Sequence, residues 1–240
     1  EGVRLAEMAA ASGWAIRFGL YTAELVEKER GRALVEALQA KCPLYEIGAA
    51  LAKKVAATDT PQGIFLVAEQ QKKSLPQMAE HLQQAAARKP LLVVLDGVQD
   101  PGNAGTIIRT ADAVGADGVI LTKGSVDVFS DKTVRATMGS LFHLPVVTDV
   151  SAEEVAVFAQ AAGCQLLATA LDEQAKPHFA VDFSKGSLIA FGNEGGGASE
   201  ELLAAAEKVY IPMYGEAESL NVGVSSAVVL YEAVRQRCFA

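Results

Sequence analysis

The chain has 240 residues, half of them apolar, a globular composition long enough for one large domain or two ordinary ones. No stretch reaches the ~18 uninterrupted apolar residues of a membrane span, so we predict no transmembrane helix. The net charge of −8 argues against broad, sequence-independent binding of nucleic acid.

The charge is distributed unevenly along the chain. Residues 1–89 carry 12 Lys and Arg against 10 Asp and Glu, whereas the remainder carries 9 against 19. Contact with RNA would therefore need local basic patches, for which the candidates are Lys53-Lys54, Lys72-Lys73 and Arg88-Lys89. Each pair is equally typical of an ordinary solvated surface.

The three cysteines, Cys42, Cys164 and Cys238, are far apart and have no histidines at metal-ligand spacing. This scattered, odd-numbered set predicts neither a disulfide framework nor a structural zinc site, and it favours a reducing cytoplasm. The first residue is Glu1 and not Met, so we expect a short leader to precede it.

Residues 1–73 alternate helix and strand patterns and predict a small α/β domain. The expected helices span residues 6–11, 23–40 and 51–56, and the expected strands span residues 14–21, 44–47 and 64–68. Residues 74–89 are polar and rich in Gln. They predict a helix without an apolar stripe, which is typical of a linker between domains.

From residue 90 to residue 240 the chain repeats strand, Gly-containing turn and helix. The expected strands are 91–95, 118–121, 146–148, 165–170, 188–191 and 208–211, and the expected helices are 104–114, 131–139, 152–162, 200–206 and 220–237. Ser130, Ser151 and Ser199 are candidate N-caps. Near-continuous apolar strands are buried on both faces, so the pattern predicts a mostly parallel sheet with helices on each side.

Three segments follow predicted strands, at the edge of the sheet where open α/β folds bind ligands. In the first, a strand ends in an acidic turn before a helix expected to begin near residue 104, with Asn103 as its N-cap. Arg109 lies almost two turns into this otherwise small and apolar helix. An arginine there either extends to the surface or faces an anion, and the spacing does not distinguish the two.

The second segment, after the strand ending at Phe191, contains Gly192, Asn193 and Glu194 followed by three glycines. Glycines allow a ligand to approach the backbone closely, whereas a flexible turn would give no reason for the lone Glu194. The segment lacks the Gly-x-Gly-x-x-Gly pattern and the later acidic residue of a dinucleotide-binding fold. It also lacks the Gly-Lys-Ser/Thr of a phosphate-binding loop, so neither kind of site is predicted here.

The third segment runs from Ile211-Pro212-Met213 to Ser219-Leu220-Asn221-Val222 and enters the last helix. Small residues, including Gly223 and Ser225, occupy the first turns of this helix. They let another backbone or a ligand approach, and the free N–H groups of a helix start bind polar atoms. The tail of the chain is therefore predicted to be part of the functional site.

Together these segments resemble the signature motifs of the SpoU class of the SPOUT superfamily, the RNA ribose 2′-O-methyltransferases. The matching residues are Asp100-Pro101-Gly102-Asn103 with Arg109, Gly192-Asn193-Glu194-Gly195, and Ile211-Pro212-Met213 with Ser219-Leu220-Asn221-Val222. They occur in the family's order across residues 91–233. Residues 1–73 resemble, by element order alone, the L30e-like domain that binds substrate in such enzymes.

The resemblance implies a deep trefoil knot at the end of residues 90–240 and a homodimer formed through the knotted domain. It implies that S-adenosylmethionine is bound, chiefly through backbone groups, with no metal. The residues that match the family's cofactor site are Thr169, Ala170, Gly192, Ile211, Met213 and Leu220.

The resemblance also assigns catalytic roles. Arg109 would lie beside the ribose hydroxyl and the phosphate, either as a base or, because arginine is a poor base, by orienting the phosphate. Asn103 would hold Arg109 or the substrate, and Glu194 would orient Arg109. Ser219 and Asn221 would line the pocket.

The implied substrate is ribosomal RNA of the 23S type, in the cytoplasm. A tRNA 2′-O-methyltransferase, or a non-catalytic RNA-binding relative, is the alternative. A nicotinamide-dependent enzyme would need the dinucleotide fingerprint that this chain lacks.

Overall fold

A computed structural model describes residues 1–84 and 88–239, which fall into two compact units. The first unit comprises residues 1–71 and 138–143, and the second contains the rest of the chain. Among the described residues, no helix has the length and apolar character needed to cross a membrane.

The first unit is built on a three-stranded sheet of order β2-β1-β3, parallel between β1 and β2 and antiparallel between β1 and β3. Its elements are α1 (Val3–Ala11), β1 (Ile16–Tyr21), α2 (Ala23–Glu27), α3 (Glu29–Gln39), β2 (Leu44–Glu46), α4 (Ala49–Val55) and β3 (Ile64–Ala68). The core joins Leu34 and Leu38 of α3 to Ile64 of β3, together with residues of α1 and α2.

The helix expected over residues 23–40 is two helices. Lys28 adopts an extended backbone, with φ −88° and ψ 135°, and its N–H donates to the carbonyl of Leu25. The turn brings the chain back onto Leu25, whose carbonyl oxygen would lie 2.1 Å from a Cβ at Gly31. A side chain at Gly31 is thus incompatible with this turn, a constraint that apolar periodicity does not reveal.

The second unit is an eight-stranded sheet of order β4-β7-β6-β5-β10-β8-β11-β9, in which every described pair of neighbours is parallel. The strands are β4 (Lys72–Lys73), β5 (Leu91–Asp96), β6 (Gly118–Thr122), β7 (Val146–Val150), β8 (Gln165–Thr169), β9 (Lys176–Pro177), β10 (Ser187–Gly192) and β11 (Glu207–Tyr210). The central strands β5 and β10 are buried at every residue, as their apolar sequences predict.

The helices of this unit are α5 (Leu75–Gln84), α6 (Pro101–Ala113), α7 (Asp131–Ala136), α8 (Ala152–Ala161), α9 (Glu200–Ala205) and α10 (Val222–Phe239). Residues of α5, α8 and α9 pack on one set of alternate strand residues, which includes Leu92, Val94 and Ile120. The helices α6 and α10 pack on each other and contact β5 and β10.

Residues 74–89 differ from the predicted linker where they are described. Met78 is fully buried and Leu82 is 9% exposed, and both belong to the core of the second unit. These two residues, four apart on α5, supply the apolar stripe that the Gln-rich composition conceals. Residues 85–87 of the predicted linker lie outside the described residues.

The predicted helix 131–139 ends early, at Ala136, because Met138 and Gly139 take positive φ angles of 53° and 100°. Ser130 and Ser151 cap their helices as predicted, accepting hydrogen bonds from Thr133 N and Glu154 N. Ser199 precedes α9, but its side chain does not cap the helix.

Candidate active site

The site lies at the carboxyl ends of the parallel strands of the second unit. In the sheet register, Asp96, the last residue of β5, is the partner of Gly192, the last residue of β10. The loops that follow these two strands therefore leave the sheet side by side. This arrangement places the first and second motif segments next to each other, although about 90 residues separate them in sequence.

Asp100, and not Asn103, is the N-cap of α6. Its Oδ1 accepts a hydrogen bond of 2.7 Å from the N–H of Asn103, and Pro101 occupies the first helical position, where no N–H is needed. The predicted capping role of Asn103 is wrong because the helix begins three residues earlier than expected. The Asn103 side chain is therefore available for other contacts.

Glu194, in the loop after β10, is hydrogen-bonded to the loop after β5. Its Oε1 accepts a 2.9 Å hydrogen bond from Asn103 Nδ2 and a 3.2 Å bond from the N–H of Asp100, and its Oε2 accepts a 3.4 Å bond from the N–H of Gln99. Partial burial opposes ionisation, but these donors outweigh it and lower the pKa of Glu194. The residue is thus held as a carboxylate.

Asn221 adds the third motif segment to this network. Its Nδ2 donates a 2.9 Å hydrogen bond to Asn103 Oδ1, and its Oδ1 accepts from the N–H groups of Gly223 and Val224. Asn221 therefore satisfies free donors at the start of α10 while it binds Asn103. Glu194, Asn103 and Asn221 form one hydrogen-bonded chain across all three segments.

The small residues at the start of α10 serve close packing. A Cβ at Gly223 would lie 3.0 Å from Thr106 Cγ2 of α6 and 3.1 Å from Asn221 Oδ1. Ser226 is fully buried and donates to the carbonyl of Gly223. The close approach of α6 and α10 keeps Asn221 within hydrogen-bonding distance of Asn103. The start of the last helix therefore lies beside the residues of the first motif segment, as predicted.

The glycine loop, residues 192–197, is closed on itself. Asn193 and Gly197 exchange two backbone hydrogen bonds, and Asn193 Oδ1 accepts from the N–H groups of Gly195 and Gly196. A Cβ at Gly192 would lie 2.0 Å from the N of Ala198, so only glycine fits there. The loop is a defined turn, and the structural role of Asn193 was missed in the sequence.

A cleft of about 640 Å³ opens beside this loop, within the size range of small-molecule sites. All six residues predicted to bind cofactor line it, together with Glu194, Ser219 and Asn221. The apolar residues Ile211, Met213 and Leu220 in the lining suit a nucleobase or a thioether. The lining therefore fits a nucleoside-containing ligand such as S-adenosylmethionine.

Asp172 also lines the cleft and was not singled out in the sequence. Its carboxylate accepts a 2.5 Å hydrogen bond from Lys208 Nζ, and this bond is the main cause of the lowered pKa of Asp172. The pair joins the loop after β8 to β11. Only the pairing of these strands brings the two residues together.

Arg109 is exposed and does not line the cleft. Among the described residues it makes no hydrogen bond or ion pair, so the predicted contact between Glu194 and Arg109 is absent within one chain. Helix geometry supplies the reason: Arg109 lies about 9 Å further along α6 than Asn103 and about 120° around its axis. The site residues of a single chain thus leave Arg109 free for a molecule outside that chain.

Within the described parts of the chain, no group of three His, Cys, Asp or Glu side chains could hold a metal ion. The charged side chains that line the cleft are the carboxylates of Asp172, Glu194 and Glu218, and the ammonium of Lys208 is bound to Asp172. The cleft is therefore suited to binding and positioning by hydrogen bonds and close contact.

Two family profiles cover most of the chain. The SpoU rRNA Methylase family matches residues 90–231, and the MRM3-like substrate binding domain matches residues 1–66. The chain belongs to the SpoU rRNA methylase family. The membership predicted from the three motifs is confirmed.

Individual relatives agree with this assignment. The chain is 42% identical to the 23S rRNA (guanosine(2553)-2′-O)-methyltransferase RlmP of Bacillus subtilis over 74% of this chain and 66% of that protein. It is 35% identical to the 23S rRNA (uridine(2479)-2′-O)-methyltransferase of Streptomyces viridochromogenes over 98% of this chain and 82% of that protein.

Among solved structures, the AdoMet-bound rRNA methyltransferase from Sinorhizobium meliloti matches with a TM-score of 0.85 and 34% identity. The match covers all of this chain and 87% of that chain. The predicted α/β fold with a parallel sheet is confirmed, and so is S-adenosylmethionine as the cofactor. The knot stays a prediction.

Proposed function

We propose that this SpoU family protein transfers a methyl group from S-adenosylmethionine to a ribose 2′-hydroxyl of 23S-type ribosomal RNA. One observation supports this most: a hydrogen-bonded chain of Glu194, Asn103 and Asn221 stands at a cleft lined by all six predicted cofactor residues. Relatives that share the methylase domain are named for the same reaction on 23S rRNA.

When bound, S-adenosylmethionine supplies the electrophilic methyl group on its sulfonium. The glycine loop and the segment 211–213 would hold the cofactor through backbone groups and apolar contact. Glu194 fixes Asn103, and Asn103 with Asn221 presents amide groups at the edge of the cleft. Holding the hydroxyl in line with the methyl group supplies much of the acceleration.

Arg109 is proposed to act on the RNA and not on the cofactor. Its guanidinium is exposed, and a planar cation with five donors suits a phosphate flanking the target ribose. Charge stabilisation at the phosphate fits an arginine better than general-base catalysis, because a guanidinium group is a fixed cation with five donors and no acceptor. Ser219, exposed at the cleft, is proposed to contact cofactor or substrate.

We assign substrate binding to residues 1–73. The match of residues 1–66 to a substrate-binding domain supports this, as does the acidity of the rest of the chain. Lys53 and Lys54 are exposed at the end of α4. Exchange of both for Glu should weaken RNA binding in a filter assay and leave cofactor binding unchanged.

We also propose that the enzyme is a homodimer in the cytoplasm, where ribosomal RNA is processed. On α10, Val224 and Tyr231 are seven residues apart, on one face, and are about half exposed. Tyr231→Asp should convert a dimer to a monomer in light scattering. A wild-type chain that is monomeric at micromolar concentration would contradict this proposal.

The deciding experiment is transfer of labelled methyl from S-adenosylmethionine to total RNA from a strain that lacks this gene. Mass spectrometry of nuclease digests should locate a single 2′-O-methylated nucleotide in 23S rRNA. Label in tRNA would instead favour the alternative substrate. Cofactor binding without transfer to any RNA, including ribosome precursors, would favour a non-catalytic RNA-binding protein.

A further inference from the structure

Asp96 is a buried carboxylate beneath the cleft to which the motif resemblance assigned no role. It ends β5, is 5% exposed, and within the described residues no Lys, Arg or His pairs with it. A buried carboxylate without a cation is costly unless hydrogen bonds compensate. The hydrogen bonds that Asp96 accepts must therefore compensate the cost of burying its charge.

The two carboxylate oxygens bind different elements. Oδ1 accepts a 2.7 Å hydrogen bond from the hydroxyl of Thr122, at the end of β6. Oδ2 accepts a 2.6 Å bond from the N–H of Ser199, directly after the glycine loop and before α9. Asp96 thus holds the exit of the loop whose residues line the cleft.

The entrance of the same loop is tied to Asp96 through a second route. Thr122 Oγ1, which donates to Asp96, accepts a 3.1 Å hydrogen bond from the N–H of Gly97. The carbonyl of Gly97 accepts a 2.8 Å bond from Asn193 Nδ2 at the start of the loop. Both stems of the glycine loop are therefore anchored at one carboxylate, one of them directly and the other through three hydrogen bonds.

We propose that Asp96 is a positioning residue for S-adenosylmethionine: by holding both stems of the glycine loop it sets the shape of the cleft and the affinity for the cofactor. This inference rests on the proposed function of the cleft. It makes Asp96 act through the loop, without contact with the reacting atoms.

The chain offers a matched control at the opposite end of β5. Asp117 is 4% exposed, and its carboxylate accepts 2.7 Å hydrogen bonds from Leu91 N and from Arg88 Nη2. Asp96→Asn and Asp117→Asn each replace a buried carboxylate by an amide of the same shape. Only the first acts on the cleft.

Asp96→Asn has one acceptor oxygen where the carboxylate has two, so the amide group replaces the acceptor of either Thr122 or Ser199, and both hydrogen bonds lose the charge that strengthens them. We expect the Kd for S-adenosylmethionine, measured by calorimetry on the full chain, to rise about tenfold. The KM for the cofactor should rise in parallel, with a smaller change in kcat. Asp117→Asn should lower the unfolding temperature and leave both constants within twofold of wild type.

Thr122→Val provides a second test that retains the carboxylate, should Asp96→Asn fail to fold. It should raise the Kd about threefold, because the donor to Asp96 Oδ1 and the route through Gly97 are lost while the hydrogen bond from Ser199 remains. Equal Kd values for wild type, the Asp96 or Thr122 variant and Asp117→Asn would overturn the proposal.

Hydrogen exchange of the cofactor-free protein separates this inference from the function itself. Backbone amides of residues 195–199 should exchange faster in Asp96→Asn than in Asp117→Asn. Wild-type protein that fails to bind S-adenosylmethionine would refute the proposed function. Unchanged exchange in this loop would refute the role of Asp96 whichever ligand the cleft takes.

Discussion

The two ends of the parallel sheet in the second unit lead to two arginines with very different contacts. On α6, which begins after the carboxyl end of β5, Arg109 is exposed and makes no hydrogen bond within the described chain. At the amino end, Arg237 donates to four backbone carbonyls: Nε to Phe183, Nη1 to Lys89, and Nη2 to Pro90 and Lys185. Arg109 thus binds no group of the described chain, whereas Arg237 uses four of its five N–H donors.

This difference teaches how to separate binding groups from structural ones. A guanidinium that gives four of its five N–H donors to main-chain carbonyls closes the amino ends of β5 and β10 and is a structural group. On α6, which follows the carboxyl end of β5, the Arg109 guanidinium binds no group of the described chain and keeps its donors for a ligand. Four predictions test the contrast, beginning with the largest expected effect.

Arg109→Ala should reduce methyl transfer about 10²- to 10³-fold, the range expected when one donor that stabilises charge on the substrate is lost. The cofactor Kd and the unfolding temperature should stay at wild-type values, because the side chain neither lines the cleft nor binds its neighbours. Single-turnover rates with calorimetry would measure both. Arg109→Lys should recover part of the rate if positive charge at the phosphate is what matters. An equal loss of rate in both variants would indicate that the planar, forked guanidinium group is required.

Gly192→Ala should abolish measurable cofactor binding. The new Cβ would lie 2.0 Å from the N of Ala198 and 2.1 Å from the C of Gly197, so the loop must move. The matched control is Gly196→Ala, where no atom lies within 4 Å of the added Cβ. Cofactor affinity that is equal in the two variants would show that the loop tolerates displacement.

Arg237→Met should leave rates per folded molecule unchanged and lower the free energy of unfolding by about 2–3 kcal/mol. The loss follows from four carbonyl acceptors that no longer have a charged donor. Denaturant titration would measure it. A change in cofactor Kd without a change in stability would contradict the division between the two ends.

Removing the charge of Glu232 on α10 has the smallest expected effect. The loss of its ion pair with Arg235 should lower the free energy of unfolding by about 1 kcal/mol. The hydrogen bond from Arg235, opposed by partial burial and aided by Gln236, lowers the pKa of Glu232 to about 2. Because the folded-state pKa is lowered, the stabilisation is complete above the ordinary pKa of 4.5 and is lost as the pH falls toward 2.

Glu232→Gln tests this pH dependence. Its deficit in unfolding free energy should be present at pH 7 and shrink between pH 4.5 and pH 2, as followed by denaturant titration. A deficit that stays constant over that interval would show that the ion pair contributes nothing.

Most elements of the second unit could be predicted because strand burial and helix periodicity are local signals. One error has a local cause and another a long-range cause. The sequence around Asn103 is compatible with two helix starts, and the hydrogen bond that the Asn103 N–H donates to Asp100 Oδ1 selects the earlier one. Met78 and Leu82 are too few to mark an apolar stripe in a Gln-rich segment until a core forms against them.

The candidate site also has features that could be predicted from the sequence and features that could not. The six predicted cofactor residues line the cleft because each motif directly follows a strand, and parallel strands end at one edge. The contacts of Glu194 could not be predicted, since they depend on how far two loops approach and which donors face the carboxylate.

The sequence by itself determined the family, the class of fold, the cofactor and the residues that line the cleft, because motif order and strand patterns are local features of the chain. Only the tertiary structure decided which of these residues bind one another, and that Asp96 accepts hydrogen bonds from Thr122 and Ser199. The physical reason is that a hydrogen bond is directional and requires two groups within about 3 Å in a defined orientation. Residues about 100 positions apart reach that geometry only after the sheet has formed.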